Sequence, residues 1–292
     1  MPASLGVRSL NVGSPVNSLA PLNVGLAAWW MLLPRSPGGS TWHDLTGRYD
    51  AAGTAIGPST ATVGWGATRR PGGWGELRFG GATFAQPAQF PALDSATAFT
   101  VALWARQTTT NVQGYLLNKY SSGSNQIGLE TWNDNNIYFE VNNGSISYLN
   151  LPSYTSFISA GVWFHLVAVF NGAGVTNAEK AQLYVNGAAM AASYSGTLPA
   201  LTFAFVPSSL VSIGQHGLST QRWVGAMDDV RIYSRALSAV DADQLYTASR
   251  LGYPQELAWQ PWPPAWASAV AGAATKAPPP RRQPWRIFRR AA

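Results

Sequence analysis

The stretch at residues 223–246, WVGAMDDVRIYSRALSAVDADQLY, restricts the fold of this chain more than any other. In its first half, Val230 and Ile232 alternate with Asp229, Arg231 and Tyr233. Alternation of apolar and polar residues with a period of two predicts a half-buried β-strand. The first half of the stretch is therefore predicted to be a strand with one face on a core.

The second half of the same stretch predicts a short helix. Ser238 stands where an N-cap is expected, and Asp241 three residues later can complete a capping box. Leu245 and Tyr246 give this helix an apolar side, and Gly252 just beyond is a stop signal. A strand followed at once by a capped helix is thus expected near the end of the folded region.

The strongest turn signal in the chain is Asn186-Gly187, which follows a strand predicted over residues 182–185. Asn-Gly supplies the two positive-φ positions of a type I′ turn and so predicts a tight hairpin. Further strands are predicted from apolar runs, alternation and Asn/Gly/Ser turns at residues 25–33, 75–81, 98–106, 114–119, 126–132, 136–141, 163–170 and 210–214.

These motifs resemble, in order, those of the laminin-G-like, concanavalin A-like jelly-roll family. The matching segments are Phe-Thr-Val-Ala-Leu-Trp at 99–104, Leu-Tyr-Val-Asn-Gly at 183–187, and Asp-Asp-Val-Arg-Ile-Tyr at 228–233 followed by Ala-Leu-Ser at 236–238. The resemblance spans residues 25–250. It implies an all-β fold: a two-sheet antiparallel jelly-roll sandwich with one short helix near its C-terminal end.

The two ends of the chain differ from this domain in composition. Residues 1–24 are polar, interrupted by Gly and Pro and only weakly periodic, which predicts an extended N-terminal arm. Residues 25–250 contain twelve basic and twelve acidic residues, whereas residues 251–292 contain six basic residues and one acidic residue. The basic character of the chain, +6 overall, thus belongs mainly to a Pro-, Trp- and Arg-rich C-terminal arm.

We interpret the C-terminal arm as a docking segment, because a Pro-rich segment without a periodic apolar face cannot bury its own rings. Tryptophan and arginine dominate the energetics of protein interfaces, so another protein chain is the favoured partner. Nucleic acid, with arginines on phosphates and tryptophans on bases, is the alternative. The residues expected to dock are Trp259, Trp262, Trp266, Trp285, Arg281, Arg282, Arg286, Arg289 and Arg290.

Catalysis is not expected. Glucanases that resemble this fold carry two acidic residues on one face of one strand, in a spacing such as Glu-x-Asp-x-Glu, and that spacing does not occur here. Glu130 and Glu140 fall in different predicted strands, with Asp134 in the turn between them. No serine has a Gly-x-Ser-x-Gly context, and His165 in a central strand is expected to be structural.

A calcium ion is the cofactor that the resemblance makes possible. The family often joins an Asp of the first loop to an Asp of the last strand through a cation, and Asp44 and Asp228 match those positions. Asp50 could contribute a further oxygen. The alternative is that Asp44 caps its own turn and that Asp228 hydrogen-bonds nearby backbone.

Carbohydrate binding is a second possible activity, because aromatic rings in or near loops can stack on a pyranose. Ordinary packing of a sandwich rich in tryptophan is the alternative interpretation. The candidate residues are Trp42, Trp65, Trp74, Tyr120 and Trp132.

The chain has no cysteine, no apolar stretch long enough to span a membrane and no secretory signal that we can identify. Arms on both sides of a compact domain favour a structural protein of a large assembly, most plausibly a bacteriophage virion component such as a capsid decoration protein. Its partners would be a major capsid protein or copies of itself. A carbohydrate-binding module on a cell surface is the alternative, and a glycosidase is a distant third.

Overall fold

The computed structural model describes residues 21–31, 41–54, 64–66, 70–73, 75–80, 84–87, 89–217 and 221–251. These residues form two antiparallel β-sheets packed face to face, with a helix close to the C-terminal end. The predicted jelly-roll sandwich is therefore confirmed. The predicted C-terminal arm beyond Leu251 and most of the N-terminal arm lie outside the described residues.

One sheet has nine strands among the described residues, in the spatial order β15-β11-β10-β9-β8-β16-β6-β3-β2. The strands are β2 (Thr41–Trp42), β3 (Ala51–Thr54), β6 (Phe84–Pro87), β8 (Gly114–Ser122), β9 (Asn125–Thr131), β10 (Asn136–Asn143), β11 (Tyr148–Pro152), β15 (Ser193–Ser195) and β16 (Val211–Ile213).

The other sheet has eight described strands, in the order β14-β13-β12-β7-β17-β5-β4, with β1 also paired to β17. The strands are β1 (Leu26–Trp30), β4 (Gly64–Gly66), β5 (Glu76–Gly80), β7 (Ala98–Gln107), β12 (Phe164–Asn171), β13 (Ala181–Val185), β14 (Ala188–Ala189) and β17 (Val224–Tyr233). Short 3-10 turns occur at Pro21–Asn23, Pro91–Leu93 and Tyr154–Ser156, and the α-helices are α1 (Asn177–Lys180) and α2 (Ala239–Arg250).

The main hydrophobic core lies between the two sheets. It is built by the apolar positions that alternate along the strands, such as Leu129 in β9, Phe139 in β10, Val101 in β7 and Ile232 in β17, all of them buried. At ~25 cal/mol per Å² of apolar surface removed from water, such a two-sided core provides the main driving force of folding. The strand alternation also decides which side chains point away from the core.

A smaller core lies on the outer side of the eight-stranded sheet, beneath α2. Ala242, Leu245 and Ala248 of α2 pack there with Trp29 of β1 and Val167 of β12. The capping box predicted for α2 is confirmed, because the Ser238 side chain accepts from the backbone N–H of Asp241 while the Asp241 side chain accepts from the backbone N–H of Ser238. The helix α1 was not predicted.

The Asn-Gly hairpin is also confirmed. Asn186 and Gly187 connect β13 to β14 with φ angles of 49° and 84°, as a type I′ turn requires. The Asn186 side chain also accepts a hydrogen bond from the backbone N–H of His165 at 2.9 Å, which ties the turn to β12.

The prediction that β17 is only half-buried is wrong, since both of its faces are buried from Ala226 to Tyr233. The pairing of β17 with β7 shifts register between Asp228 and Arg231, and Asp229 adopts a φ of 56°. This β-bulge inserts one residue, so Asp228 and Asp229 both face outward while Val230 returns to the core. The outward charges are then buried because α2 covers that side.

Candidate functional site

The outer face of the nine-stranded sheet carries an unusual set of polar and aromatic side chains. In the row across β11, β10, β9 and β8, Asn150 pairs with Tyr138, Tyr138 with Glu130, and Glu130 with Tyr115. Directly paired residues of antiparallel strands project from the same face. Their neighbours along each strand, such as Leu129 and Phe139, point into the core. We call this surface the carboxylate face.

Glu130 lies at the centre of the carboxylate face and is only 1% exposed. Burial and then the nearby charge of Glu140 raise the pKa of Glu130 to about 8. The polar hydrogens of Tyr115, Trp132 and Gln113 lie near enough to lower that pKa in part. With its pKa raised to about 8, the Glu130 carboxyl is mostly protonated at pH 7.

Glu140 is the second carboxyl of this face. It pairs with Gly128 in the neighbouring strand and is therefore a diagonal neighbour of Glu130. Burial raises the pKa of Glu140 to about 7, partly offset by a hydrogen bond that the side chain of Gln126 donates to it. The two carboxyls thus sit together in a poorly solvated region without a compensating basic group among the described residues that set their pKa values.

Gly128 provides the space into which these groups converge. A Cβ atom at this position would lie 2.8 Å from Oε2 of Glu140 and 3.2 Å from the ring of Tyr115. Real Cβ atoms almost never come that close to another heavy atom. The glycine therefore allows the Glu140 carboxyl and the Tyr115 ring to lie above the middle of the sheet.

Aromatic rings flank the carboxyl pair on both sides. On one side, Tyr138 forms edge-to-face contacts with Trp132 and Tyr148, with ring centroids 6.0 and 5.2 Å apart. On the other side, His216 packs edge-on against Tyr115 at 4.8 Å and Tyr120 at 4.6 Å. Burial lowers the pKa of His216, so this imidazole is neutral at neutral pH.

Several polar atoms of this region are buried without a hydrogen-bond partner among the described residues. They are Oε2 of Glu130, Oδ1 of Asn150 and Nε2 of Gln113. Leaving such an atom unsatisfied costs about 1–3 kcal/mol. Most buried polar atoms in proteins are satisfied, so a cluster of orphaned atoms on one face requires an explanation.

The five residues predicted to bind carbohydrate differ in where they lie in the structure. Tyr120 and Trp132 lie half-buried at the two ends of the carboxylate face, as a sugar platform would require. Trp42 is a correction: it lies in β2, is 1% exposed and packs in the main core, so it cannot stack on a ligand. The side chain of Trp65 and the whole of Trp74 lie outside the described residues.

The carboxylates of the three residues predicted to bind calcium make hydrogen bonds or ion pairs with other groups of the protein. The Asp44 carboxylate accepts hydrogen bonds from the backbone N–H groups of Trp29, Thr46, Arg48 and Tyr49 and from the Thr46 hydroxyl, at 2.6–3.0 Å. This is the turn-capping role that was the alternative interpretation.

Asp228 and Asp50 fit a calcium site no better. The Asp228 carboxylate pairs with Nε of Arg70 at 2.8 Å, and Asp50 accepts from the backbone N–H of Asp44 at 2.8 Å and contacts His43 at 3.0 Å. In the part of the chain that the structure describes, no three His, Cys, Asp or Glu side chains group to hold a metal. These residues do not fit the ion, and calcium remains a prediction that melting curves with and without a chelator test.

His165 is 1% exposed, and burial lowers its pKa to about 3. Its ring lies 5.4 Å from Trp104 and 5.9 Å from Tyr246 of α2, on the outer side of the eight-stranded sheet. It is far too poor a base for general acid–base catalysis at neutral pH. The structural role predicted for His165 is thus consistent with its position.

The described residues define a two-sheet jelly-roll domain. The family model of the concanavalin A-like lectin/glucanase superfamily, Laminin_G_3, matches residues 79–242. The chain belongs to this superfamily. No curated protein sequence matches the chain.

Several solved structures share this fold. Domain 4 of AbnA, an extracellular arabinanase from Geobacillus stearothermophilus solved with arabinotriose, is 18% identical with a TM-score of 0.55, covering 76% of this chain and 98% of that domain. The binding domain of Paraclostridial Mosquitocidal Protein 1 is 16% identical with a TM-score of 0.57, covering 80% of this chain and 56% of that one.

The binding domain of botulinum neurotoxin DC, solved with SialylT, is 15% identical with a TM-score of 0.51, covering 78% of this chain and 52% of that one. The chain thus spans about half the length of these two toxin structures. At these identities the likeness shows the shared fold alone. No helix within the described ranges is both long and apolar enough to cross a bilayer.

Sequence reasoning missed Glu130 and Glu140 as one site because it looked for two carboxylates within one strand. A signal was available. Gln-Ile-Gly-Leu-Glu at 126–130 and Asn-Ile-Tyr-Phe-Glu at 136–140 both alternate, and a short turn joins them. A short turn fixes hairpin register, and the register places Glu130 opposite Tyr138 and Glu140 opposite Gly128.

Proposed function

We propose that this protein is a non-enzymatic, lectin-like carbohydrate-binding domain and that the carboxylate face is its binding surface. The observation that carries the proposal is the arrangement of aromatic rings on both sides of a polar centre that contains buried orphaned atoms. Aromatic rings offer apolar faces to the C–H groups of a sugar, while acids, amides and hydroxyls bind its hydroxyl groups. An extracellular or cell-surface location follows as part of the same proposal.

A catalytic role is less well supported, although the two carboxyls do share one face. A glycosidase needs one carboxyl kept protonated as an acid and a second kept ionised as nucleophile or base. Here burial raises the pKa of both, Glu130 to about 8 and Glu140 to about 7. Without a basic partner to keep one ionised, the pair lacks the division of roles that hydrolysis requires.

The proposal is tested with a glycan array followed by titration calorimetry of the best ligand. Trp132→Ala removes one platform ring and is expected to weaken binding by about 2 kcal/mol or more, roughly thirtyfold in Kd. The matched control is Trp163→Ala, which removes another half-buried tryptophan, one that lies beside Arg106 of the eight-stranded sheet. Equal losses in both variants, or no loss in Trp132→Ala, would contradict binding at the carboxylate face.

A role in a large assembly such as a virion rested on the two arms. Residues 1–20 and 252–292 lie outside the described residues, and these include all nine arm residues expected to dock. The assembly role therefore stays a prediction. Co-sedimentation of the full chain and of a chain ending at residue 251 with candidate particles would test it.

A further inference from the structure

The outer face of the nine-stranded sheet holds two buried carboxyls and no basic group that compensates them within the described residues. From this arrangement we propose that the carboxylate face selects a cationic carbohydrate, namely an oligosaccharide of amino sugars with free ammonium groups. The inference rests on the proposed function and specifies its ligand class.

The first argument is geometric. Glu130 and Glu140 are diagonal neighbours on adjacent strands, and the glycine between them leaves a space in which Oε2 of Glu140 lies over the sheet. Tyr115 closes this space on the side of β8, and Tyr138 lies directly opposite Glu130 on the side of β10. The two carboxyls thus form an acidic centre bounded by rings, which suits a small cation carried on a flat apolar sugar.

The second argument is the unsatisfied hydrogen-bonding capacity. Glu130 is 1% exposed, and its Oε2 atom makes no hydrogen bond within the described part of the chain. Oδ1 of Asn150, two strands away on the same face, is likewise a buried acceptor without a donor. Once Glu130 is ionised it presents an orphaned acceptor, as Asn150 does, and an ammonium group can satisfy such atoms because it has three N–H donors and no acceptor. The orphaned Nε2 donor of Gln113 would then face a sugar hydroxyl.

The third argument is electrostatic. Burial disfavours the ionised forms of both carboxyls, and the charge of Glu140 adds to this effect for Glu130. An ammonium placed between them would favour ionisation. The other titratable groups that face the pair are Tyr115 of β8, which lies directly opposite Glu130, and His216, which packs on Tyr115. Both are neutral at neutral pH, because burial raises the pKa of the tyrosine and lowers that of the histidine.

Two further charged residues border this region. Asp134 accepts a hydrogen bond from the Tyr138 hydroxyl at 2.6 Å and adds negative charge at the edge of the face. Arg222 forms a backbone bridge beside Tyr115 and has interactions of its own. A metal ion is a weaker fit than an ammonium, since no third His, Cys, Asp or Glu joins the two carboxyls to complete a ligand set in the described structure.

The test compares two tetrasaccharides that differ in one functional group per ring, β-1,4-linked glucosamine tetramer and cellotetraose. Calorimetry of the full chain at pH 7 is expected to show the amino sugar binding about tenfold tighter or more, the factor that corresponds to reversing one unit of the carboxyl pKa shift. Binding should release protons, so the observed heat should depend on the ionisation enthalpy of the buffer. Salt should weaken the amino sugar more than cellotetraose.

Glu130→Gln and Glu140→Gln keep the shape of each side chain and remove its charge. In each variant, the Kd values for the glucosamine tetramer and cellotetraose are expected to differ by no more than about threefold. The dependence of the binding heat on the buffer should disappear. Asp243→Asn, an exposed carboxylate of α2 on the other side of the sandwich, is the matched control and should change neither.

The outcomes separate this inference from the proposed function. Equal binding of both tetramers that is lost in Trp132→Ala would overturn the amino-sugar preference and leave a sugar-binding face. Failure of both tetramers to bind would overturn the preference as well, and the glycan array would then decide the proposed function alone. A rise in melting temperature with millimolar calcium that disappears in Glu130→Gln would show that a metal ion occupies the acidic centre instead.

Discussion

Both outer faces of the sandwich bury acidic side chains. The two faces differ in whether buried arginines pair with those acids. On the eight-stranded sheet, Arg70 contacts two aspartates: its Nε atom lies 2.8 Å from Asp228 and its Nη2 atom lies 3.1 Å from Asp229. The Nε atom of Arg231 lies 2.9 Å from Asp229. All four side chains are at most 1% exposed. On the nine-stranded sheet, Glu130 and Glu140 have no such partner among the groups that set their pKa values.

The difference extends to what covers each face. Arg70 donates to the backbone carbonyl of Ser249 at 2.7 Å, and Trp104 donates to the Ser249 hydroxyl at 2.9 Å, so the ion network anchors α2. The guanidinium of Arg231 also lies 3.7 Å from the ring centroid of Trp29. The acids of the eight-stranded sheet are paired with arginines and covered by the chain's own helix, whereas burial keeps Glu130 largely protonated in the absence of such a partner. The comparison therefore separates a structural face from the proposed binding face.

The largest effect on stability is expected when the ion network of the structural face is disrupted. Arg70→Met leaves Asp228 buried without its guanidinium, and removing one partner of a buried ion pair costs about 3–5 kcal/mol. Urea unfolding at pH 7 measures the loss. Arg235→Met is the control, because its pair with Asp241 is only partly buried and worth about 0–1 kcal/mol. A loss of less than about 1 kcal/mol for Arg70→Met would show that the network is not structural.

The second prediction concerns the proposed binding face. There, removing a buried ionisable side chain should raise the stability of the protein at alkaline pH, whereas Arg70→Met should lower it. Because the pKa values of Glu130 and Glu140 are raised in the folded state, the folded protein binds more protons than the unfolded chain between about pH 4.5 and 8. Stability should therefore fall as pH rises through this window, by about 2–4 kcal/mol for the coupled pair. Glu130→Gln should flatten this dependence and leave the protein more stable than wild type at pH 9.

Thermal unfolding of both proteins from pH 5 to pH 9 checks the second prediction. Asp243→Asn, which removes an exposed carboxylate, should retain the full pH dependence. A wild-type stability that is constant or rises between pH 5 and 8 would mean that the two carboxyls are compensated after all.

The third prediction weakens the helix that covers the structural face. Ser238→Ala removes the capping box of α2, which buries Ala242, Leu245 and Ala248, and should cost about 1 kcal/mol. Thr176→Ala removes the same motif from α1, a four-residue helix without buried residues, and should cost less than half as much. Equal costs would indicate that α2 contributes no more to the fold than an exposed turn of helix.

The sequence was sufficient to predict the elements whose signals are local. The Asn186-Gly187 turn needs two positive-φ residues, and the Ser238–Asp241 capping box needs one pair of side chains three residues apart. Both were found because neighbouring residues decide them. The order of motifs along the chain then indicated the jelly roll.

The features that could not be predicted from the sequence depend on residues that are distant from one another along the chain. The pairing of Arg70 with Asp228 joins positions 158 residues apart, and no local pattern distinguishes it from a calcium site at Asp228. Trp42 could not be assigned to the core from its loop-like surroundings. Glu130 and Glu140 become one site only through the register of β9 and β10, which places them on the same face.

The last prediction, Gly128→Ala, combines a small expected effect on stability with a large one on binding, and it distinguishes the two faces most sharply. The added Cβ would lie 2.8 Å from Oε2 of Glu140 and 3.2 Å from the Tyr115 ring. The Glu140 carboxyl can move aside because it is the end of a flexible side chain, so the cost should be about 1 kcal/mol or less, helped by the smaller conformational entropy of alanine in the unfolded chain. That movement nevertheless displaces the Glu140 carboxyl from its position near Glu130. Sugar binding should therefore fall at least tenfold while the melting temperature changes by only a few degrees. Gly123→Ala is the control, because nothing lies within 4 Å of the Cβ that it would add, and it should leave both binding and stability unchanged. If Gly128→Ala bound its sugar as tightly as Gly123→Ala, the ligand would not enter the space between Glu130 and Glu140, and the contrast between a structural and a binding face would have to be abandoned.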